Sequence, residues 1–469
     1  MAPSILWFRR DLRLSDHPAL HEAVRLGGSD GVVPVFVLDE EFLAPAGPTR
    51  ATFLASCLEA LESSMGSSLT ILSGDPAAEL TALATGLGAA HVVVTGDYGP
   101  SGVRRDHRVA TQLEAAGVRF HRVSSPYCVE PGTVLGSSGA PVKVFGAFRR
   151  RWEVIGPHNV LPVPDVSFVP VASTASIRDL VARAGNRRPA LFGDLPDAPP
   201  SGLPAAGEAA ATAALEAFVQ GPIDTYGHDR NLFAVPGTSR LSPHLRFGTI
   251  HPRTAVAAAA GGGEGAATFI SEIAWREFYA DVLHHHPDSV REPLQAKMSR
   301  LVVDVGPDAE ERFRVWARGE TGIPLVDASM RQLLAEGWMH NRGRMLTASF
   351  LIKHLHLDWR WGARWFMWRL IDGDLASNTH GWQWTAGTGT DAAPYYRIFS
   401  PVAQAERFDP RGDFIHAQIP ALAEIAAPAV LQPGGGVDLL HQADYPAPMV
   451  DLATERAEAL RRLEETKDG

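Results

Sequence analysis

DGDLASNTHGWQWTAGTGTDAAPYYRIFSP, residues 372–401, is short and chemically dense, and its reading decides the fold. Asp372 and Asp374 sit two positions apart, Asn378 follows, Trp382 and Trp384 flank a single residue, and an aromatic-basic run ends in Arg397. Asp, Asn, Gly and Thr are poor interior helix residues, so a merely structural segment gains nothing from them. On one helical turn Trp382 and Trp384 point to nearly opposite faces. One indole then looks into a pocket and the other into the protein body.

Outward from this stretch, the chain is helical from about residue 208. Amphipathic runs at 208–220, 269–284, 309–318, 324–336, 341–355 and 359–371 carry the helical period. Of the eleven tryptophans only Trp7 and Trp152 precede this half. Such crowding suits a large helical domain holding a flat ligand, or a well-filled core. Within the 269–284 run, Glu272, Trp275, Arg276 and Tyr279 share one face, and Ile270, Ile273, Ala274 and Phe278 the other. The first face is too polar for a core and too aromatic for ordinary surface, so it reads as a cavity wall. Glu277 falls on the apolar side, and the pattern gives no reason for it. Farther on, Asn341, Arg344 and Met345 share a helical face while Arg342 points elsewhere. Arg344 can pair with Asp372 or Asp374. The cluster Tyr226, Arg230 and Thr238-Ser239-Arg240-Leu241-Ser242 precedes a helix start at Ser242-Pro243. Its hydroxyls and guanidinium suit a diphosphate, or simply an N-cap and surface loop. His284-His285-His286 reads as a solvated helix C-terminus rather than a metal site.

Upstream, Ser4–Phe8, Gly31–Leu38, Leu69–Leu72, His91–Thr95 and Val118–Val123 read as short apolar strands. Helical segments near 50–64, 76–88 and 103–116 separate them. The alternation predicts βαβ units and a parallel sheet, with ligands expected outside the carboxyl ends of its strands. No GxGxxG follows the first strand, so an ordinary dinucleotide site is not expected. A Pro-, Ala- and Ser-rich stretch then reads as a connector. The expected division is an α/β domain at 1–135, a connector at 136–207 and a helical domain at 208–469.

A chain of 469 residues is long enough for two or three domains with sizeable cores. No signal peptide and no membrane-length apolar run are read. Cys57 and Cys128 alone offer neither a disulfide framework nor a zinc site, so no metal is expected and a cytoplasmic location fits. The net charge of −10 requires basic groups to be clustered if the partner is a nucleic acid.

Together these stretches resemble the DNA photolyase/cryptochrome family, and within it the class I cyclobutane pyrimidine dimer photolyases. The motifs are LWFRRDLRLSDHPAL near residue 6, YxxxRNxxxxxGTSRLSPHLRFG from Tyr226, EIAWREFY, TGIPLVDASMRQL, GWMHNRGRMLTASFLIKHL and the stretch at 372–401. The resemblance covers nearly the whole chain. It implies an α/β N-terminal domain, a connector and a large all-α C-terminal domain enclosing FAD. Tyr226, Thr238, Ser239, Arg240, Leu241 and Ser242 would hold the flavin's phosphates and ribityl chain. Asp372 and Asp374 would contact its ring and ribose region, with Arg344 paired to Asp372 and Asn378 facing N5. Glu272, Trp275, Asn341, Met345 and Trp384 would line the lesion pocket. Trp275, Arg276, Arg342 and Arg397 would meet the DNA.

The activity implied is light-driven repair of pyrimidine dimers in DNA by a monomer. A blue-light photoreceptor of the cryptochrome type is the main alternative, and a (6-4) photolyase a weaker one. The family reduces its flavin through three tryptophans. Trp382 and Trp359 match two of them, but the third position falls near Gly306, so slow or rerouted photoreduction is expected. Trp316 matches a different family tryptophan. For the antenna, Tyr98-Gly99-Pro100-Ser101-Gly102 lacks the folate pattern, and Asp97 favours 8-hydroxy-5-deazaflavin over methenyltetrahydrofolate. A second flavin or no antenna stays open.

Overall fold

The computed structural model describes residues 2–390, 397–436 and 444–468. Asp391–Tyr396, within the stretch quoted first, lie outside the described residues. The chain forms two compact units. The first comprises Met1–Arg188, Pro204–Asp224 and Ser239–Pro287, and the second Pro189–Leu203, Thr225–Thr238 and Asp288–Gly469.

The first unit contains a five-stranded parallel sheet in the order β3-β2-β1-β4-β5. The strands are β1 (Ser4–Trp7), β2 (Val32–Leu38), β3 (Thr70–Ser73), β4 (His91–Thr95) and β5 (Arg119–Val123). Its register sets Ser4 against Val32, Val35 against Thr70, and Ile5 against Val92. Every residue of β1 and β2 is buried, as expected for strands covered on both faces. Pro34 sits inside β2 without leaving a donor unpaired. Val32 donates its N–H to Ser167 O at 2.9 Å, so position 34 faces the same edge, where β3 does not begin to pair until Val35. The proline-rich segment there runs against the sheet: Val169 returns a hydrogen bond to Val32 O at 2.8 Å. Gly31, at φ +80°, leaves room for it, because a Cβ would stand 2.6 Å from Ser167 O.

The sheet order reverses between β1 and β4, which opens a crevice beyond their carboxyl ends. The first unit also holds the helices Phe145–Ile155, Ser242–Phe247 and Glu264–His285. The structure explains Glu277. Its buried carboxylate accepts from Cys128 N at 2.5 Å, Val129 N at 3.0 Å and Trp152 Nε1 at 2.6 Å. Burial still raises its pKa against those three donors.

The second unit is helical, with Pro307–Arg318, Pro324–Glu336, Asn341–Lys353, Trp359–Arg369, Leu375–Ala386 and Pro401–Phe408 among its elements. Residues 189–203 are strapped onto it: Trp368 Nε1 donates to Asp197 at 2.5 Å, and Arg369 donates to the carbonyls of Pro196 and Ala198. The TGIPLVD motif has a structural role. Buried Asp327 accepts from Thr321 N, Thr321 Oγ1, Gly322 N and Tyr445 OH at 2.6–2.9 Å. Among the described residues no helix is long and apolar enough to cross a membrane.

Candidate functional site

In the second unit three helices bring the predicted residues of the 341–384 region together. His340 caps the Asn341–Lys353 helix, accepting from Arg342 N at 3.2 Å. In its first turn Arg344 reaches both oxygens of Asp372, at 3.1 and 2.8 Å, and donates through Nε to Met339 O. The choice left open between the two acids thus falls on Asp372. Asp374 instead caps the Leu375–Ala386 helix, accepting from Ser377 N at 3.1 Å. Asn378, one turn in, donates through Nδ2 to Ala363 O at 3.0 Å. With its nitrogen committed, the amide oxygen remains an acceptor. Asn341 Nδ2 lies 3.9 Å from Met345 Sδ on the shared helical face.

The two tryptophans divide as their spacing requires. Trp382 is 3% exposed, whereas Trp384 is half-buried. The Trp382 ring lies against Gly362 so closely that a Cβ there would stand 2.0 Å from the indole. Phe366 meets the same ring at 5.0 Å and Trp316 at 6.2 Å. Trp316 is fully buried and donates to Thr347 O. Trp359 begins its helix with Arg360 over its ring, and Gly306 caps the Pro307–Arg318 helix at φ +94°. Gln383, between the tryptophans, is buried and clamps 289–294, donating to Ser289 O and Glu292 O and accepting from Leu294 N.

Beside these residues an open cleft of about 480 Å³ is lined by Asn231, Arg342, Arg397, Phe399, Gln404, Arg407 and Phe408. Arg342 lies 3.6 Å over the Phe408 ring and donates to Gln404 at 3.2 Å and to Asn231. Burial, with Arg407 and Arg230 nearby, lowers its pKa to about 10, so it stays protonated at neutral pH. Arg397 lies 6.0 Å over Trp384. Among the described residues, no carboxylate forms an ion pair with Arg342, Arg397 or Arg407. Sequence reading singled out Arg342 and Arg397 but not Asn231, Gln404, Arg407 or Phe408. Asn231 stands within a quoted motif, and the others sit on the next short helix. Tyr226 and Thr238 also belong to this unit, Tyr226 buried with Arg230 5.5 Å over its ring.

Ser239–Ser242 belong to the first unit. Ser239 Oγ accepts from Leu241 N at 3.4 Å, and Arg240 adopts φ +51°, uncommon for a residue with a Cβ. Glu272, Trp275, Arg276 and Tyr279 are all half-buried along one face of the Glu264–His285 helix. Trp275 stacks on Phe145 at 3.6 Å and 11°. Arg276 donates to Pro126 O and Leu245 O, each at 3.2 Å, and lies over Tyr127. Its guanidinium is therefore engaged within the unit.

At the sheet crevice Arg105 lies 4.9 Å from the Trp7 ring and 5.0 Å from the Phe42 ring. It pairs with Asp97 at 3.1 Å and Asp106 at 2.9 Å, and Arg9 pairs with Asp106 as well. Burial opposes the Asp97 carboxylate, but Arg105, Arg9 and Arg10 outweigh it and hold its pKa at about 2. His284 and His286 are exposed at a helix end, and the described residues contain no cluster of three or more His, Cys, Asp or Glu placed to hold a metal.

Residues 4–165 match the family model described as DNA photolyase, and residues 269–465 that of the FAD binding domain of DNA photolyase. The chain is 38% identical to the deoxyribodipyrimidine photo-lyase of Halobacterium salinarum, over 99% of each chain. A bacterial class III photolyase from Agrobacterium tumefaciens has a similar structure, with a TM-score of 0.88 at 35% identity, over 100% of this chain and 98% of that one. The cryptochrome of Synechocystis gives a TM-score of 0.83 at 25% identity over 98% of each.

Proposed function

The chain belongs to the DNA photolyase family, whose repair chemistry uses FAD, and from that premise we propose that it repairs cyclobutane pyrimidine dimers. The observation that carries the reading is the cleft with Arg342, Arg397 and Arg407. Arg342, held by the amides of Asn231 and Gln404, and Arg397 and Arg407, each over an aromatic ring, pair with no carboxylate among the described residues and are left for an outside polyanion. A protein of net charge −10 has little reason to gather them otherwise.

The residues fit a flavin by their donor set. The Arg344–Asp372 pair would help hold a flavin ring and tune it through its dipole, a reason for a pair whose desolvation otherwise cancels much of its stabilisation. The free oxygen of Asn378 can accept from a ring N–H. Tyr226, Thr238, Ser239, Arg240, Leu241 and Ser242 are assigned to the phosphates and ribityl chain, and Asp374 to the ribose region. A bound, reduced FAD would supply light-driven electron-transfer chemistry. Everything else falls to the chain. A dimer pairs weakly with its complement, so turning it out of the duplex is cheap. Trp384 offers a flat wall for a pyrimidine ring. Glu272 and Asn341 hydrogen-bond the pyrimidine edges where charge develops, and Met345 packs beside them. Arg342 and Arg397 grip the phosphates, and Arg276, engaged by two carbonyls, is not counted among the phosphate contacts. The working form is taken to be a cytoplasmic monomer.

Photoreduction is the weak point. Trp382 and Trp359 have no third member near Gly306, and Trp316, though 6.2 Å from Trp382, is buried. Slow flavin photoreduction is expected, and the measurement is its rate in Trp359→Phe and Trp316→Phe. For the antenna, 8-hydroxy-5-deazaflavin remains favoured over methenyltetrahydrofolate, with Arg105 having to leave the Trp7–Phe42 gap if a flat ring enters there.

The deciding experiment is anaerobic repair of a thymine-dimer oligonucleotide by chemically reduced protein, in light and in darkness. Light-dependent loss of the dimer is the expected outcome. Neither binding nor repair with flavin present would move the reading to the photoreceptor, whose fold is shared.

A further inference from the structure

Lys353 ends the Asn341–Lys353 helix, and it is 2% exposed. A buried ammonium is costly unless something holds it. Its Nζ donates to the main-chain carbonyl of Arg397. One turn earlier on the same face, Ser349 Oγ accepts from Phe399 N at 3.3 Å. Two side chains at i and i+4 thus pin the backbone of residues 397–399 to a rigid helix. Those residues carry Arg397 and Phe399 into the arginine cleft.

We infer that Lys353 is a positioning residue for damaged-DNA binding: its ammonium fixes the Arg397 backbone, so that this guanidinium meets a phosphate without first being ordered. The inference rests on the repair reading above. Its physical basis is preorganisation, since a long side chain on an untethered backbone gives up more freedom on binding. Burial and the adjacent Arg397 lower the Lys353 pKa to about 7, so an amine, which donates to the carbonyl in either protonation state, is kept there at a cost. A purely structural position favours an apolar residue of the same length, because replacing a buried charge by one is often neutral or stabilising.

The test uses full-length Lys353→Met, Arg397→Ala and the double variant, with a dimer-containing duplex at several salt concentrations. Lys353→Met is expected to keep its thermal midpoint and to bind about tenfold more weakly, the loss of one charge-assisted hydrogen bond. Its salt slope should fall by about one phosphate contact. The double variant should bind no worse than Arg397→Ala alone. A second readout needs no DNA: trypsin should cut native Lys353→Met after Arg397 about tenfold faster than wild type, the product being identified by mass. Wild-type affinity in Lys353→Met, or a loss additive with that of Arg397→Ala, overturns the inference. Failure of wild type itself to bind the duplex would reject the repair reading, and the tryptic rate would then decide alone, with an unchanged rate overturning the tether. Should Lys353→Met not fold, Ser349→Ala removes the second tether, and its cut should be about threefold faster. An unchanged rate there overturns the inference too.

Discussion

At the carboxyl edge of the sheet, Arg9 and Arg105 meet Asp97 and Asp106, whereas in the second unit Arg342, Arg397 and Arg407 pair with no carboxylate among the described residues. Both groups rest on aromatic rings, Trp7 and Phe42 in one and Phe408 and Trp384 in the other. The difference lies in what satisfies the guanidiniums. Carboxylates cancel the charge, so the first cluster is internally complete. Neutral amides satisfy hydrogen bonds and leave the charge standing, so Arg342, held by Asn231 and Gln404, still attracts an anion. An arginine's availability is thus read from its partners rather than from its exposure.

The comparison breaks most visibly at Arg105. Arg105→Met takes from Asp97 its ion-pair partner and leaves Asp106 to Arg9 alone, and should cost about 3 kcal/mol of stability, measured by chemical denaturation, with no change in DNA affinity. Gly362→Ala drives a methyl into the Trp382 ring and should cost about 1–3 kcal/mol. A flavin absorption change in that variant would sharpen the link between the Trp382 helix and the cofactor. Arg342→Ala should leave the thermal midpoint within a few degrees and weaken DNA binding about tenfold, with a salt slope lower by about one. Equal losses of stability in Arg105→Met and Arg342→Ala would erase the distinction. The smallest effect is on pH. Asp97 titrates at about 2 in the fold, below its ordinary 3.8. Its contribution is therefore complete above that ordinary value and lost as pH falls towards 2. Acid unfolding should show this loss in wild type and not in Asp97→Asn.

Much of the fold was legible because it lies in local periodicity. The five strands and the long helices appear within a few residues of their predicted places. The Arg344–Asp372 pair was legible from opposite charge as one of two choices, and the resemblance named Asp372. Other features were not. Lys353 gave no signal of its own, because its partner is a backbone carbonyl 44 residues later, which leaves no trace in residue type. Glu277 could only be marked as misplaced, since its donors are two backbone N–H groups and an indole far upstream. Gly362 did leave a signal. A glycine inside a helical run costs about 1 kcal/mol, which in retrospect points to a close approach. Arg276 was expected to meet the DNA, and two carbonyls already engage it, which residue type alone does not show.

Glu277 also sets a schedule for synthesis. The donors at Cys128, Val129 and Trp152 leave the ribosome 125–149 residues before their acceptor. At roughly 5–20 residues per second the delay is about 6–30 s. During that interval the region following the sheet holds polar groups meant for a carboxylate that has not yet been made. The sheet can assemble early, but its attachment to the Phe145–Ile155 helix cannot be completed until the Glu264–His285 helix arrives. A fragment ended before residue 277 would carry that incompleteness permanently.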